Sequence, residues 1–153
     1  MRVYYIFKIK KEFVNLYKDT PSILYNILKN IYYMDKESVE YGYNLFNQLI
    51  QTIDKIKLDR ELYIYMHQDI PYTKRKDIHI INNLYKEEVS KLRINNFYMK
   101  LELDQDFSSF YPYLEEKEKN LFVCNFKITD FFFLEDYLQN NLWNVRILGK
   151  IET

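Results

Sequence analysis

Two dense apolar runs, NLFVCNF and DFFFLE, are separated only by the short polar link KITD. Such runs bury themselves as paired strands inside a sheet with both faces covered. The beginning of the chain makes a similar demand. Val3, Tyr5, Phe7 and Ile9 alternate there with Tyr4, Ile6 and Lys8, giving a strand that is apolar on nearly both sides. Amphipathic segments elsewhere supply the cover, so the expected fold is α+β: one domain over residues 1–153, a largely antiparallel sheet covered by helices.

The helical segments announce themselves unevenly. In KEFVNLY, Phe13, Leu16 and Tyr17 recur at the spacing that lines one face of a short helix. Thr20 and Pro21 mark the start of the next, whose stripe is Ile23, Leu24, Ile27, Leu28 and Ile31. Asp35 caps a third, predicted to run to Asp54 with Val39, Tyr43, Phe46, Leu49, Ile50 and Ile53 on its buried side and Gly42 as a weak point. ELYIYM reads equally as strand or helix end, and QDIPYTKRKD reads as a polar loop. IHIIN is a predicted strand, and LYKEEVSKLRI suits either state. Phe97, Met99, Leu101 and Leu103 alternate with Tyr98, Lys100, Glu102 and Asp104, the pattern of a strand with one wet face. Asp106 or Ser109 is expected to cap a helix carrying Phe107, Phe110, Tyr111 and Leu114, with Pro112 in its first turn and EEKEK as its solvated end.

Composition narrows the function classes. Twenty-two basic residues balance 22 acidic ones, so no net field draws the chain to nucleic acid or to an anionic membrane. With two glycines in all, there is little room for a phosphate-cradling loop or a nucleophile elbow. The single cysteine, Cys124, sits in an apolar strand as an inert hydrophobe and suits a reducing cytoplasm. The N-terminal apolar stretch, broken by Lys8 and Lys10, is too short for an export signal or a membrane span. Sixteen Tyr and eleven Phe exceed what a core of this size needs, which places some rings outside, where aromatic area serves binding.

Chemical constellations are sparse. His67 and His79 bracket a loop rich in charge, and a phosphoester-cleaving site would need them convergent and each oriented by a carboxylate or hydroxyl. Neither histidine has a second ligand at metal-binding spacing, so no metal and no cofactor is expected. Lys74, Arg75 and Lys76, with Tyr72 beside them to stack on a base, are too few charges for a duplex binder.

YYIFKIKKEFVNLYKDTPS, followed by the segment carrying FNQLIQTI, resembles the SirA family, the sporulation inhibitors of replication. The likeness is strongest over residues 1–53, through Glu12, Phe13, Asn15 and Tyr17. It continues more weakly to about residue 135 through MHQ, FYMKLEL, DFSSFYPYL and NLFVCNF. It implies a cytoplasmic, non-enzymatic protein, monomeric or weakly oligomeric, that inhibits replication initiation by binding the N-terminal domain of the initiator DnaA without touching DNA or membrane. The implied contact residues are Phe13, Tyr17 and Gln48. Two alternatives stand beside it: the phosphoester-cleaving enzyme using His67 and His79, and an interaction module of the same fold with another partner.

Overall fold

The computed structural model describes residues 1–140. β1 (Arg2–Lys8) pairs antiparallel with β5 (Met99–Leu103) on one side and β6 (Leu121–Asn125) on the other. This interior position is what its two apolar faces require. The full sheet runs β2-β3-β4-β5-β1-β6-β7, with β2 (Tyr72–Arg75), β3 (Ile78–Asn83), β4 (Glu88–Ile94) and β7 (Asp130–Phe133), and every neighbouring pair is antiparallel.

The pleat sends alternate residues of β1 into two separate cores. Tyr4 and Ile6 join Leu92, Met99, Leu101 and Val123 beneath α4 (Lys55–Met66) and α5 (Tyr111–Lys117). Phe7 and Ile9 join Leu24, Leu28, Phe122 and Phe133 beneath α1 (Lys11–Tyr17), α2 (Pro21–Tyr32) and α3 (Val39–Leu49). The adjacent tyrosines therefore serve different layers. Tyr4 donates its hydroxyl to Asp130 Oδ2 at 2.9 Å, and Tyr5 packs edge-on or stacked against Tyr98 and Phe126 on the opposite face.

α2 begins where Thr20 and Pro21 predict, although Thr20 makes no side-chain cap. A side-chain cap supplies about 1 kcal/mol, whereas burying Leu24 and Leu28 contributes roughly 1.5–3 kcal/mol each, so packing outweighs the missing cap. Asp35 accepts from the Ser38 amide and starts a short 3₁₀ turn, Lys36–Ser38, that leads into α3.

α3 departs from expectation. It stops at Leu49, and Ile50 leaves the helix to bridge Ile9, so Ile50 and Ile53 are buried from extended chain. Val39 and Tyr43, expected inside, are exposed. The residue that faces inward on that turn is Gly42: a Cβ there would meet Met34 Sδ at 2.5 Å. The glycine makes room for the Met34 side chain, which comes from the connection after α2, and is not a defect.

The ambiguous middle resolves into a helix and a hairpin. α4 is capped by Asp54, which accepts from the Lys57 amide, and it buries only Leu58, Leu62 and Met66. The segment read as a polar loop contains β2, an edge strand with one buried side chain, Tyr72, and exposed Thr73, Lys74 and Arg75. LYKEEVSKLRI is a turn followed by β4.

Three further corrections concern residues 97–118. Phe97 precedes β5 and is exposed, while Tyr98 turns into the second core. Neither Asp106 nor Ser109 caps α5: Asp106 pairs with Arg2 at 2.9 Å, and the Ser109 hydroxyl donates to Glu88. Pro112 does sit in the first turn. The EEKEK end is not wholly solvated, because Glu115 is 8% exposed and its carboxylate oxygens have no hydrogen-bond partner among the described residues. Burial pushes its carboxyl up to about 7, Lys119 opposing and Glu135 and Asp136 adding to the rise. Residues 134–140 form a final helix.

Candidate partner-binding surface

Where β1 ends, the chain turns into α1 across the C-terminal end of α3. The Lys10 amide donates to Leu49 O at 2.9 Å, Lys10 Nζ donates to Asn47 O at 3.0 Å, and the Gln51 amide donates to Lys8 O at 2.7 Å. Gln48 lies between the two carbonyls that hold Lys10, and its side chain is exposed. One turn beyond Lys10, Phe13 is half-buried, and Tyr17 a turn later is half-buried as well, both resting on the second core. Val14 takes the inward position expected of Leu16, and Leu16 is left 62% exposed beside the two rings. The three predicted contact residues thus belong to one corner of the helical layer, with Phe13 and Tyr17 neither sealed nor free.

The corner is a mixed surface electrostatically. Lys11, Glu12, Asn15, Lys18 and Asp19 are all exposed around the rings. Further along the same layer, Tyr32, Tyr33, Tyr41 and Tyr43 are exposed, and an apolar groove of about 230 Å³ opens between α2, α3 and the sheet over Tyr5, Phe7 and Phe46. Burial, reinforced by the neighbouring Tyr32, pushes the Tyr5 hydroxyl in this groove up to about 12. The exposed Leu16 and the tyrosines at the α2–α3 turn were not identified from the sequence as surface features. Their signal is the mismatch between an apolar residue and the polar side of a helix stripe.

The two histidines do not converge. His67 caps the exposed end of α4, where its Nδ1–H donates to Ile64 O at 2.9 Å and its ring stacks on Tyr63 at 5.2 Å. His79 is fully buried in β3. It accepts the Tyr72 hydroxyl proton at Nδ1 and donates Nε2–H to Asp59, both at 2.7 Å, and Asp59 also pairs with Lys55 at 2.7 Å. Burial lowers the His79 pKa, with Asp59 opposing. A sealed imidazole with both nitrogens engaged ties β2, β3 and α4 together and reaches no substrate. Tyr72, weighed as a ring that could stack on a base, is 5% exposed and hydrogen-bonded to His79. Lys74, Arg75 and Lys76 are exposed.

A second buried network was invisible in the sequence. Glu88 accepts from the Ser90 hydroxyl, from the Ser109 amide at 2.9 Å and from the Ser109 hydroxyl, fastening β4 to the turn before α5. Cys124 is buried in β6, and burial raises its thiol pKa well above the ordinary value, leaving it a packing residue. No group of three or more metal-ligating side chains lies together among the described residues, and none of their helices is long and apolar enough to cross a membrane.

Fold and surface together define a small α+β protein whose distinctive feature is a helical layer carrying exposed aromatic and aliphatic side chains. Residues 2–137 match the family model of the sporulation inhibitor of replication protein SirA, and the chain belongs to that family. No curated protein matches the chain.

Proposed function

We propose that this protein restrains replication initiation in the cytoplasm by docking the α1–α3 corner onto the N-terminal domain of DnaA, occupying a surface that other replication factors need. Membership of the SirA family supplies the regulatory role. The observation that carries the choice of surface is the Lys10 tie. It holds α1 against the end of α3, so Phe13, Leu16, Tyr17 and Gln48 are presented on a preorganised platform. Half-buried rings lose little conformational freedom on binding, and a preorganised aromatic anchor is what dominates small interfaces. The mechanism is steric, so no catalytic group, metal or cofactor enters it.

The test is binding of purified DnaA N-terminal domain to Phe13→Ala, Tyr17→Ala and Gln48→Ala, each first shown to be folded by circular dichroism. Loss of either ring is expected to cost about 2 kcal/mol or more, roughly a thirtyfold weakening. Ile56→Ala, exposed on α4 and far from this corner in the fold, serves as the neutral control. Unchanged affinity in the ring variants removes the proposed surface. Absence of binding by the unmodified chain assigns the corner to another partner.

A further inference from the structure

α5 turns its sides to different neighbours. Tyr113 faces α4, stacked on Tyr65 at 4.5 Å with Glu61 close by. Glu115, two residues on, lies on the other side of the helix. It is buried, and neither carboxylate oxygen has a hydrogen-bond partner among the described residues. The charged groups that act on it are Lys119, just past the end of α5, and Glu135 and Asp136, in the first turn of the helix over residues 134–140. All three are exposed. One sealed carboxyl thus sits behind two solvated carboxylates and a single lysine.

A neutral carboxyl can stay in such a place, but a carboxylate without donors must reach water. One of the two helices has to give way. α5 is fixed by Phe110 at its start and by Tyr111 and Leu114, all three fully buried. The helix over residues 134–140 seals only Leu134, and Tyr137 and Leu138 are half-buried. Tyr137 lies on Phe132 at 4.1 Å, stands edge-on to Tyr111 at 5.9 Å, and donates its hydroxyl to Asp106 O at 2.8 Å. With less apolar area holding it down, this helix is the cheaper of the two to lift. It also carries Glu135 and Asp136, which an ionised Glu115 repels.

We infer that the helix over residues 134–140 is a pH-sensitive latch on α5: it lies closed on the first core while Glu115 holds a proton, and it lifts to let water in when that proton leaves. Lifting uncovers the rings of Phe132 and Tyr111 that Tyr137 now contacts. The pH range follows from the two states of the latch. Closed, the Glu115 carboxyl is pushed up to about 7; open to water, it returns toward its ordinary 4.5. The closed form therefore loses ground as pH rises from about 4.5 through about 7, and loses no more above that range.

Hydrogen exchange of the full chain, followed by mass spectrometry on peptides covering residues 134–140 and β6, tests the latch. Protection is taken relative to the intrinsic exchange rate at each pH, so base catalysis cancels. Residues 134–140 are expected to be less protected than β6, the mark of an opening separate from global unfolding. Their protection should fall roughly fiftyfold between about pH 5 and about pH 8 and level off beyond. Glu115→Gln keeps the shape of the side chain without its charge and should abolish that fall. Glu135→Gln combined with Asp136→Asn, both at exposed positions, should reduce it. Circular dichroism confirms folding of each variant first. Protection of residues 134–140 that does not change with pH overturns the inference, as does a fall that persists undiminished in Glu115→Gln. Protection equal to that of β6 at every pH overturns it too, because the helix then opens only when the whole domain unfolds. DnaA is absent from the experiment, so its outcome is independent of the proposed inhibitory site.

Discussion

Glu115 offers the sharpest thermodynamic test of the structure, because its carboxylate is buried against α5's neighbours with no hydrogen-bond partner among the described residues. Burial lifts its pKa from 4.5 to about 7. At about 1.4 kcal/mol per tenfold change in proton affinity, the difference amounts to about 3 kcal/mol. The sign follows from which state holds the proton more tightly. The folded value lies above the unfolded one, so this contribution is fully present below about pH 4.5 and is lost as pH rises through about 7. Glu115→Met keeps an unbranched side chain of similar reach and removes the titration. It should therefore gain about 3 kcal/mol over the parent at pH 8 and only about 1 kcal/mol at pH 5, apart from any pH-independent packing change. Urea unfolding of both proteins at the two pH values measures the difference of differences, which cancels that packing term. Equal effects at pH 5 and pH 8 would show that the carboxylate is solvated, and a loss of stability confined to pH 8 would show that it has a partner.

His79 titrates in the opposite sense. Its pKa is lowered from 6.5 by burial, so as pH falls below 6.5 the unfolded chain takes up a proton that the folded chain refuses. Stability should then decline by up to about 1.4 kcal/mol per pH unit. Urea titration in the Glu115→Met background, where the opposing titration is gone, should show this slope, and His79→Gln should flatten it. At Gly42 an added Cβ would meet the end of the flexible Met34 side chain, which can move aside, so Gly42→Val should cost no more than about 1 kcal/mol by overpacking. Adding Met34→Ala should recover part of that cost, a coupling that a double-mutant cycle in urea quantifies.

What was legible in the sequence is what local pattern determines. β1 and β6 were readable because each carries apolar residues on both faces, as interior strands do, whereas the equally apolar β7 lies at the edge of the sheet, a position its sequence does not announce. The start of α2 was readable from Pro21, whose missing N–H is harmless only there. α4 was hidden because its exposed side holds Ile56, Tyr63, Ile64 and Tyr65, which drown the buried stripe of Leu58, Leu62 and Met66. β2 was hidden because a short edge strand buries one residue and wears cations, as a loop does. Asp59 lies 20 residues from His79 and Ser109 lies 21 from Glu88, and nothing in local sequence announces either pairing.

The same reasoning explains why aromatic abundance could not locate a surface. Exposed rings and aliphatics occur on α2, α3, α4, the β3–β4 tip and the loop before β5, so excess apolar area is spread over the whole exterior. What separates a contact surface from this background is order around the exposed group. Tyr65 stacks on Tyr113 beside its own helix, and such a ring is partly satisfied at home. Leu16 stands beside two rings on a helix whose start is tied to α3 by Lys10, and Tyr85 stands on a turn held by Asn83 with nothing of its own chain over it. In both places the chain has fixed its backbone around a side chain left largely exposed. That residual apolar surface, held in one conformation, is available to a partner at small entropic cost. The two surfaces lie on different parts of the fold, one on the α1–α3 layer and the other at the β3–β4 turn beside the opposite core. Occupying one therefore leaves the other open.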